Sequence, residues 1–272
     1  MKRIGTRTVT IIVALWTVFS LFGCGLSREE RAAERILKGL EAKYGEPFTL
    51  DGIGGSWGTM NNHTLKAIVR PKSDPNLKVA VEMTKDGKQL FDKYLNQRVA
   101  KNEEPRIREL AQRLWPAASL SVANDTRLTY PKERDISMSF AEFMERYPTN
   151  IQLVSIYLDA SGHLNGEGRI DSGQELPKYR EFAGLLKDQG YYRTSVNWVY
   201  LTPEAYLRLG EARASSDTID QYLMKLEEDT GKPQILAVSG LTLDAGGTIE
   251  ETEQEILSYF DAWEEQSPGR TE

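Results

Sequence analysis

The chain has 272 residues, of which 40% are hydrophobic and 27% charged, and its formal net charge is −6. That balance excludes a disordered polymer, and its acidic sign argues against nucleic-acid binding, which needs a basic footprint. One cysteine excludes an intramolecular disulfide, so an apolar core must hold the fold.

Lys2, Arg3 and Arg7 open the chain, and residues 9–22 form an apolar run interrupted by Thr10, Thr17 and Ser20. A bilayer-spanning helix needs about 20 apolar residues, so a basic start followed by this shorter run predicts a secretory signal peptide over 1–23. The run ends in Leu21-Phe22-Gly23-Cys24, and Cys24 is the only cysteine of the chain. This tetrapeptide resembles the lipobox of bacterial lipoproteins: an aliphatic residue, a tolerant position, a small residue and a cysteine. The resemblance implies diacylglycerol transfer to the Cys24 thiol and cleavage between Gly23 and Cys24. It also implies a palmitate-type lipid anchor on the extracytoplasmic face of the cell membrane. Residues 1–23 hold three basic residues and no acidic one, so their removal takes the net charge from −6 to −9.

Beyond Cys24, Ser27 and Glu30 read as a capping box. The helix it opens carries Ala33, Ile36, Leu37, Leu40 and Tyr44 on one face and stops at Gly45. Residues 48–53, 64–70 and 77–84 read as strands, the last alternating Leu77, Val79, Val81 and Met83 with polar residues before an Asp86-Gly87 turn. A helix is expected over 91–114, broken before Pro105, and then a strand over 119–123. The charged stretch through Pro131-Lys132-Glu133-Arg134-Asp135 suggests a boundary between an N-terminal α+β domain, 24–130, and a C-terminal domain of alternating strands and helices, 131–272.

In that second part Ser139 and Glu142 form a further capping box, and residues 151–158 read as a strand. Next come a helix over 176–189, a strand over 195–201, and a helix starting at Thr202-Pro203-Glu204. A helix over 216–228, a strand over 234–243 and a last helix capped by Thr248 and Glu251 complete the chain. The expected fold is α+β, with antiparallel sheets packed with helices in two small subdomains.

Several patterns invite a chemical reading. Gly54-Gly55-Ser56-Trp57-Gly58 matches the G-x-S-x-G nucleophile elbow, but a strand rather than a helix is expected after it, so a glycine-rich hairpin fits better. His63 and His163 lack the spacing and partners of a zinc site and read as surface histidines in turns. The segment from Asp159 has Leu164 and Ile170 where a calcium loop requires Gly and Glu. Asp229-Thr230-Gly231-Lys232 lacks the upstream glycine of a phosphate loop. No metal, cofactor or catalytic residue is therefore assigned.

Val196, Trp198 and Tyr200 fall on one face of their strand, which makes Trp198 and Tyr200 either core or a candidate ligand surface. In layout the whole chain is similar to uncharacterised lipoproteins of Gram-positive bacteria. The resulting expectation is a lipid-anchored, non-enzymatic module that binds an envelope protein or a small ligand, with a divergent envelope hydrolase as the alternative.

Overall fold

The computed structural model describes residues 28–54, 64–126, 129–215 and 218–266. Within them eight helices and two four-stranded sheets form an α+β fold of two subdomains, each sheet with its own core. Gly23, Cys24, Ser56 and His63 lie outside the described residues, as do all of residues 1–23, the segment expected to be a signal peptide. No helix among the described residues is long and apolar enough to cross a membrane.

Helix α1 (Arg28–Tyr44) precedes an antiparallel meander of β1 (Phe48–Gly54), β2 (Thr64–Pro71), β3 (Val79–Thr84) and β4 (Leu90–Asp92). Ala32, Ile36 and Leu40 recur every four residues and are buried against Val69, Val79, Val81 and Met83. The stripe is centred on Ala32 rather than Ala33. In β2 and β3 the alternation is regular: Ala67 and Val69, then Val79, Val81 and Met83, point inward. Side chains of period two on one covered face produce this pattern. Gly87, at φ +71°, closes the turn before β4, and Asp86 Oδ1 accepts the Lys88 amide at 3.1 Å.

Helix α2 (Tyr94–Leu114) leads into the second sheet. Tyr94 is packed in the first core, whereas Leu95, Val99, Ala100, Ile107, Leu110 and Ala111 line the second. The helix runs unbroken through Pro105, contrary to the break expected from sequence. Pro105 is exposed, and apolar residues on both sides of it bury into the same core, each large one contributing about 1.5–3 kcal/mol. Together these offset the roughly 3 kcal/mol that proline costs a helix interior. Sheet membership changes between β4, which ends at Asp92, and β5 (Ser119–Asp125), and α2 bridges the two, with Tyr94 in the first core and the residues from Leu95 onward in the second.

That second sheet has the order β5-β6-β7-β8, with β6 (Ile151–Asp159), β7 (Thr194–Leu201) and β8 (Ile235–Leu243). Its central pair, β6 and β7, is parallel, the one departure from the antiparallel expectation. On one face lie α2, α3 (Phe140–Arg146), α4 (Ser172–Asp188) and α8 (Glu253–Gln266). The other face is covered by α5 (Pro203–Leu207), α6 (Leu209–Ala214) and α7 (Ile219–Thr230), packed on Tyr157, Val199 and Leu201. Burial in β7 alternates at first and then becomes continuous from Trp198, where both faces are covered.

Local signals explain the helix ends. Ser139 and Glu142 form both arms of their capping box, and Thr202 accepts the Ala205 amide with Pro203 at the first helical position. Helix α7 ends at Gly231 with φ +65°, so the Gly-Lys pair there is a helix terminus. The last helix is capped four residues later than expected, by Thr252 and Glu255.

Candidate functional site

In open sheets with parallel strands, sites form at the carboxyl ends of those strands. Here Asp159 and Leu201 are register partners at that edge. After β6 the chain makes a short 3-10 turn (Ala160–Gly162) in which Asp159 Oδ1 accepts the Ser161 amide at 3.0 Å. Asn165 Oδ1 then accepts the amides of Glu167 and Arg169, and Asp171 caps α4. These oxygens, which gave the segment its likeness to a calcium loop, are spent on closing turns. Among the described residues no group of three His, Cys, Asp or Glu side chains could hold a metal ion.

The loop returns His163 and the first turns of α4 to the end of β7, and there Glu175 lies 1% exposed. Its carboxylate takes two donors on each oxygen. Oε1 accepts from His163 Nδ1 at 2.9 Å and from Lys178 Nζ at 2.7 Å. Oε2 accepts from Trp115 Nε1 at 2.7 Å and from the Tyr200 hydroxyl at 2.9 Å. The Tyr200 hydroxyl also lies 2.6 Å from that of Tyr179. Around this polar centre the rings interlock: Tyr179 stacks on Trp198 at 3.8 Å, Trp115 lies 5.8 Å from Trp198, and His163 meets Tyr200 edge-on at 5.6 Å.

The electrostatics follow from this geometry. Burial pushes the Glu175 pKa up, but hydrogen bonds from His163, Lys178 and Trp115 and the charge of a protonated His163 outweigh it and hold the carboxyl at about 2. Burial pushes the Tyr200 hydroxyl well above its ordinary range, reinforced by Tyr179 and by the Glu175 charge. Glu175 is thus an anion and Tyr200 a neutral donor at neutral pH. An ionised carboxylate only accepts, so His163 carries its hydrogen on Nδ1, and Nε2 holds the lone pair whenever the ring is neutral. The imidazole is oriented as a base or ligand would be, but among the described residues no hydroxyl or thiol is hydrogen-bonded to it. The four donors fill the roughly four acceptor positions of the carboxylate. Glu175 is a buried, saturated anion that ties α4, β7, the β6–α4 loop and the end of α2 together.

The sequence-predicted positions divide accordingly. Trp198 and Tyr200 are completely buried and so form no ligand surface: with both faces of β7 covered, its aromatic row is core. His163 sits in a turn as expected, but its side chain is only 17% exposed and is bound to Glu175. Glu175 and Trp115 were missed. The helix was expected from 176, yet Asp171 caps it five residues earlier, and from that start Glu175, Tyr179 and Phe182 share the buried face. A carboxylate on an apolar stripe was the available signal.

No family model matches the chain, and no curated protein matches it. Among solved structures, the crystal structure of a DUF5037 family protein from Ruminococcus gnavus is similar, with a TM-score of 0.54 over 84% of this chain and 98% of that one, at 13% identity. At that identity the likeness is one of fold alone.

Proposed function

We propose that this protein is a lipoprotein, exported and anchored through acylated Cys24 to the extracytoplasmic face of a membrane. Its body then acts as a cofactor-free module that binds an envelope protein or a small ligand. The observation that carries the reading is the placement of the single cysteine directly after Leu21-Phe22-Gly23 at the end of a short apolar run. A two-chain lipid anchor holds where one chain is marginal, at about 0.8 kcal/mol per buried CH₂. Helix α1 begins at Arg28, four residues after Cys24, which would keep the first subdomain close to the bilayer. Glu175, with its acceptor positions filled, is not itself available as a general base.

Expression of the wild type and Cys24→Ala in a bacterial host, followed by intact mass and membrane fractionation, tests the anchor. A lipidated chain beginning at Cys24, and a variant that leaves the membrane fraction, are expected. Equal partitioning with residues 1–23 still attached would sink the reading. The alternative, a divergent envelope hydrolase, draws its support from the imidazole of His163 held by a buried carboxylate. Hydrolysis of ester or peptide probes that His163→Gln abolishes would favour it.

A further inference from the structure

Away from Glu175, a groove of about 430 Å³ opens between α3 and the entry to β7, lined by Glu142, Met144, Glu145, Pro148, Tyr192 and Arg193. Three separate observations meet there.

The first is backbone conformation. Arg193 has φ +49°, and among the described residues every other positive φ belongs to a glycine. Both of its backbone polar groups are committed, the amide to Asp244 O at 3.0 Å and the carbonyl to the Gln152 amide at 2.9 Å, so this left-handed conformation is locked. Glycine takes it without strain and arginine does not.

The second is charge. The Arg193 guanidinium lies 5.7 Å from the centre of the Tyr192 ring, and among the described residues no carboxylate is within ion-pair reach of it. Glu145 likewise has no cation in reach among them, whereas Glu142 is committed to the Ser139 cap. The groove is therefore lined by one cation, Arg193, and two carboxylates, of which Glu145 has no cation or cap to hold it among the described residues.

The third is polarity behind the wall. Asn150 and Gln152 are completely buried. Among the described residues nothing hydrogen-bonds Asn150 Oδ1 or either end of the Gln152 amide. Such orphaned buried groups are rare and costly. Neither lines the groove itself, but each neighbours a residue that does: Asn150 Nδ2 lies 2.9 Å from Met144 Sδ, and the Gln152 amide donates to the Arg193 carbonyl. Met144 is an unbranched, adaptable side chain, suited to moving aside for a guest.

We infer that this groove binds a small zwitterion, an amino acid or a short peptide with free ends, its carboxylate on Arg193 and its ammonium on Glu145. The guanidinium recognises a carboxylate through its fork of donors, and its cation–π contact with Tyr192 favours holding that fork over the groove. The orphaned amides of Asn150 and Gln152 supply both a donor and an acceptor for the polar groups of the guest. A simple anion would meet Glu145 and a simple cation would meet Arg193, so a guest carrying both charges fits best. This deepens the binding half of the proposed function and does not depend on acylation of Cys24.

The test is titration calorimetry on the full chain in detergent, using alanine, trialanine, N-acetyl-trialanine and trialanine amide as probes. Trialanine or alanine should bind, and the preference between them tells peptide from free amino acid. Blocking either end should weaken binding. Arg193→Gly should lose at least about tenfold in affinity with a Tm equal to or above that of the wild type, since glycine relieves the backbone. Glu145→Gln should erase the difference between trialanine and its N-acetyl form. Absence of heat with both free-ended probes, or an Arg193→Gly variant that binds as the wild type does, would overturn the site. Either failure leaves the anchoring experiment on Cys24 untouched.

Discussion

Each half of the molecule buries one carboxylate beside a lysine and a tyrosine, and the two are used differently. Asp92, 1% exposed at the end of β4, accepts from Lys43 Nζ at 2.8 Å, the Tyr44 hydroxyl at 2.6 Å and the Tyr94 amide at 3.0 Å. All three donors come from the end of α1 or the start of α2, so Asp92 splices helix ends onto an edge strand. Glu175 instead gathers donors from four places: α4 itself, β7, the β6–α4 loop and Trp115 beyond α2. Helix α2 joins them. Its first amide binds Asp92, and the indole just past its last turn binds Glu175, about 31 Å away at 1.5 Å per residue over 21 residues. A carboxylate within one local junction fixes a corner, and one shared by several layers fixes the packing of the sheet itself.

The largest test of that difference is Glu175→Ala. It strands an indole, a phenol, a lysine and an imidazole, and breaking a buried pair costs about 3–5 kcal/mol, so a loss of about 4 kcal/mol in urea unfolding is expected. A loss below about 1 kcal/mol would mean that the cluster does not hold the layers together.

Acid sharpens the comparison. The folded-state pKa of Glu175 is depressed, from 4.5 to about 2, so its contribution is present above the unfolded value and is lost as the pH falls through the folded one. At 1.36 kcal/mol per unit this amounts to about 3 kcal/mol, disappearing between about pH 4.5 and pH 2. Glu175→Gln should be less stable at neutral pH and should flatten that acid limb. Parallel pH–stability curves for the two proteins would count against the assignment.

How much of this was legible in the sequence follows from the range of the forces involved. Local signals carried far: the capping box of Ser139 and Glu142, the proline start at Pro203, and the alternation of Val79, Val81 and Met83 all appear as read. What failed depended on tertiary packing. The helix passes Pro105 because apolar residues on either side share one core. Trp198 and Tyr200 are core because α5–α7 cover the second face of β7, a layer supplied by residues that come later in the chain. Glu175 was missed because α4 was started at 176, one position after the residue that mattered. A hydrogen bond across 60 residues, as between Trp115 and Glu175, leaves no periodicity to read.

A smaller effect separates the two carboxylates by solvent access. Lys43, the cation on Asp92, keeps 19% of its side chain exposed and also donates to Pro131 O at 3.0 Å. When Asp92→Ala removes its partner, the ammonium can turn to water, so a loss of about 2 kcal/mol is expected, below the usual range for a buried pair. A loss equal to that of Glu175→Ala would abolish the distinction between corner and layer.

The smallest test compares two hydroxyls. In Tyr200→Phe, Glu175 loses one of four donors while the buried Tyr179 hydroxyl loses its partner 2.6 Å away, with no solvent to replace it. Two interactions fail in a dry place, and a loss of about 1.5 kcal/mol is expected. Tyr44→Phe removes the hydroxyl that donates to Asp92 Oδ1, but the Tyr44 ring is only partly buried and Asp92 keeps Lys43 and the Tyr94 amide. With two donors, one of them charged, still on that carboxylate, about 0.5 kcal/mol should be lost. The midpoint shift of Tyr200→Phe in urea should therefore be about three times that of Tyr44→Phe at unchanged slope. Equal shifts would mean that the Tyr179–Tyr200 contact adds nothing to the Glu175 cluster, and the reading of a coupled, sealed network around that anion would fail with them.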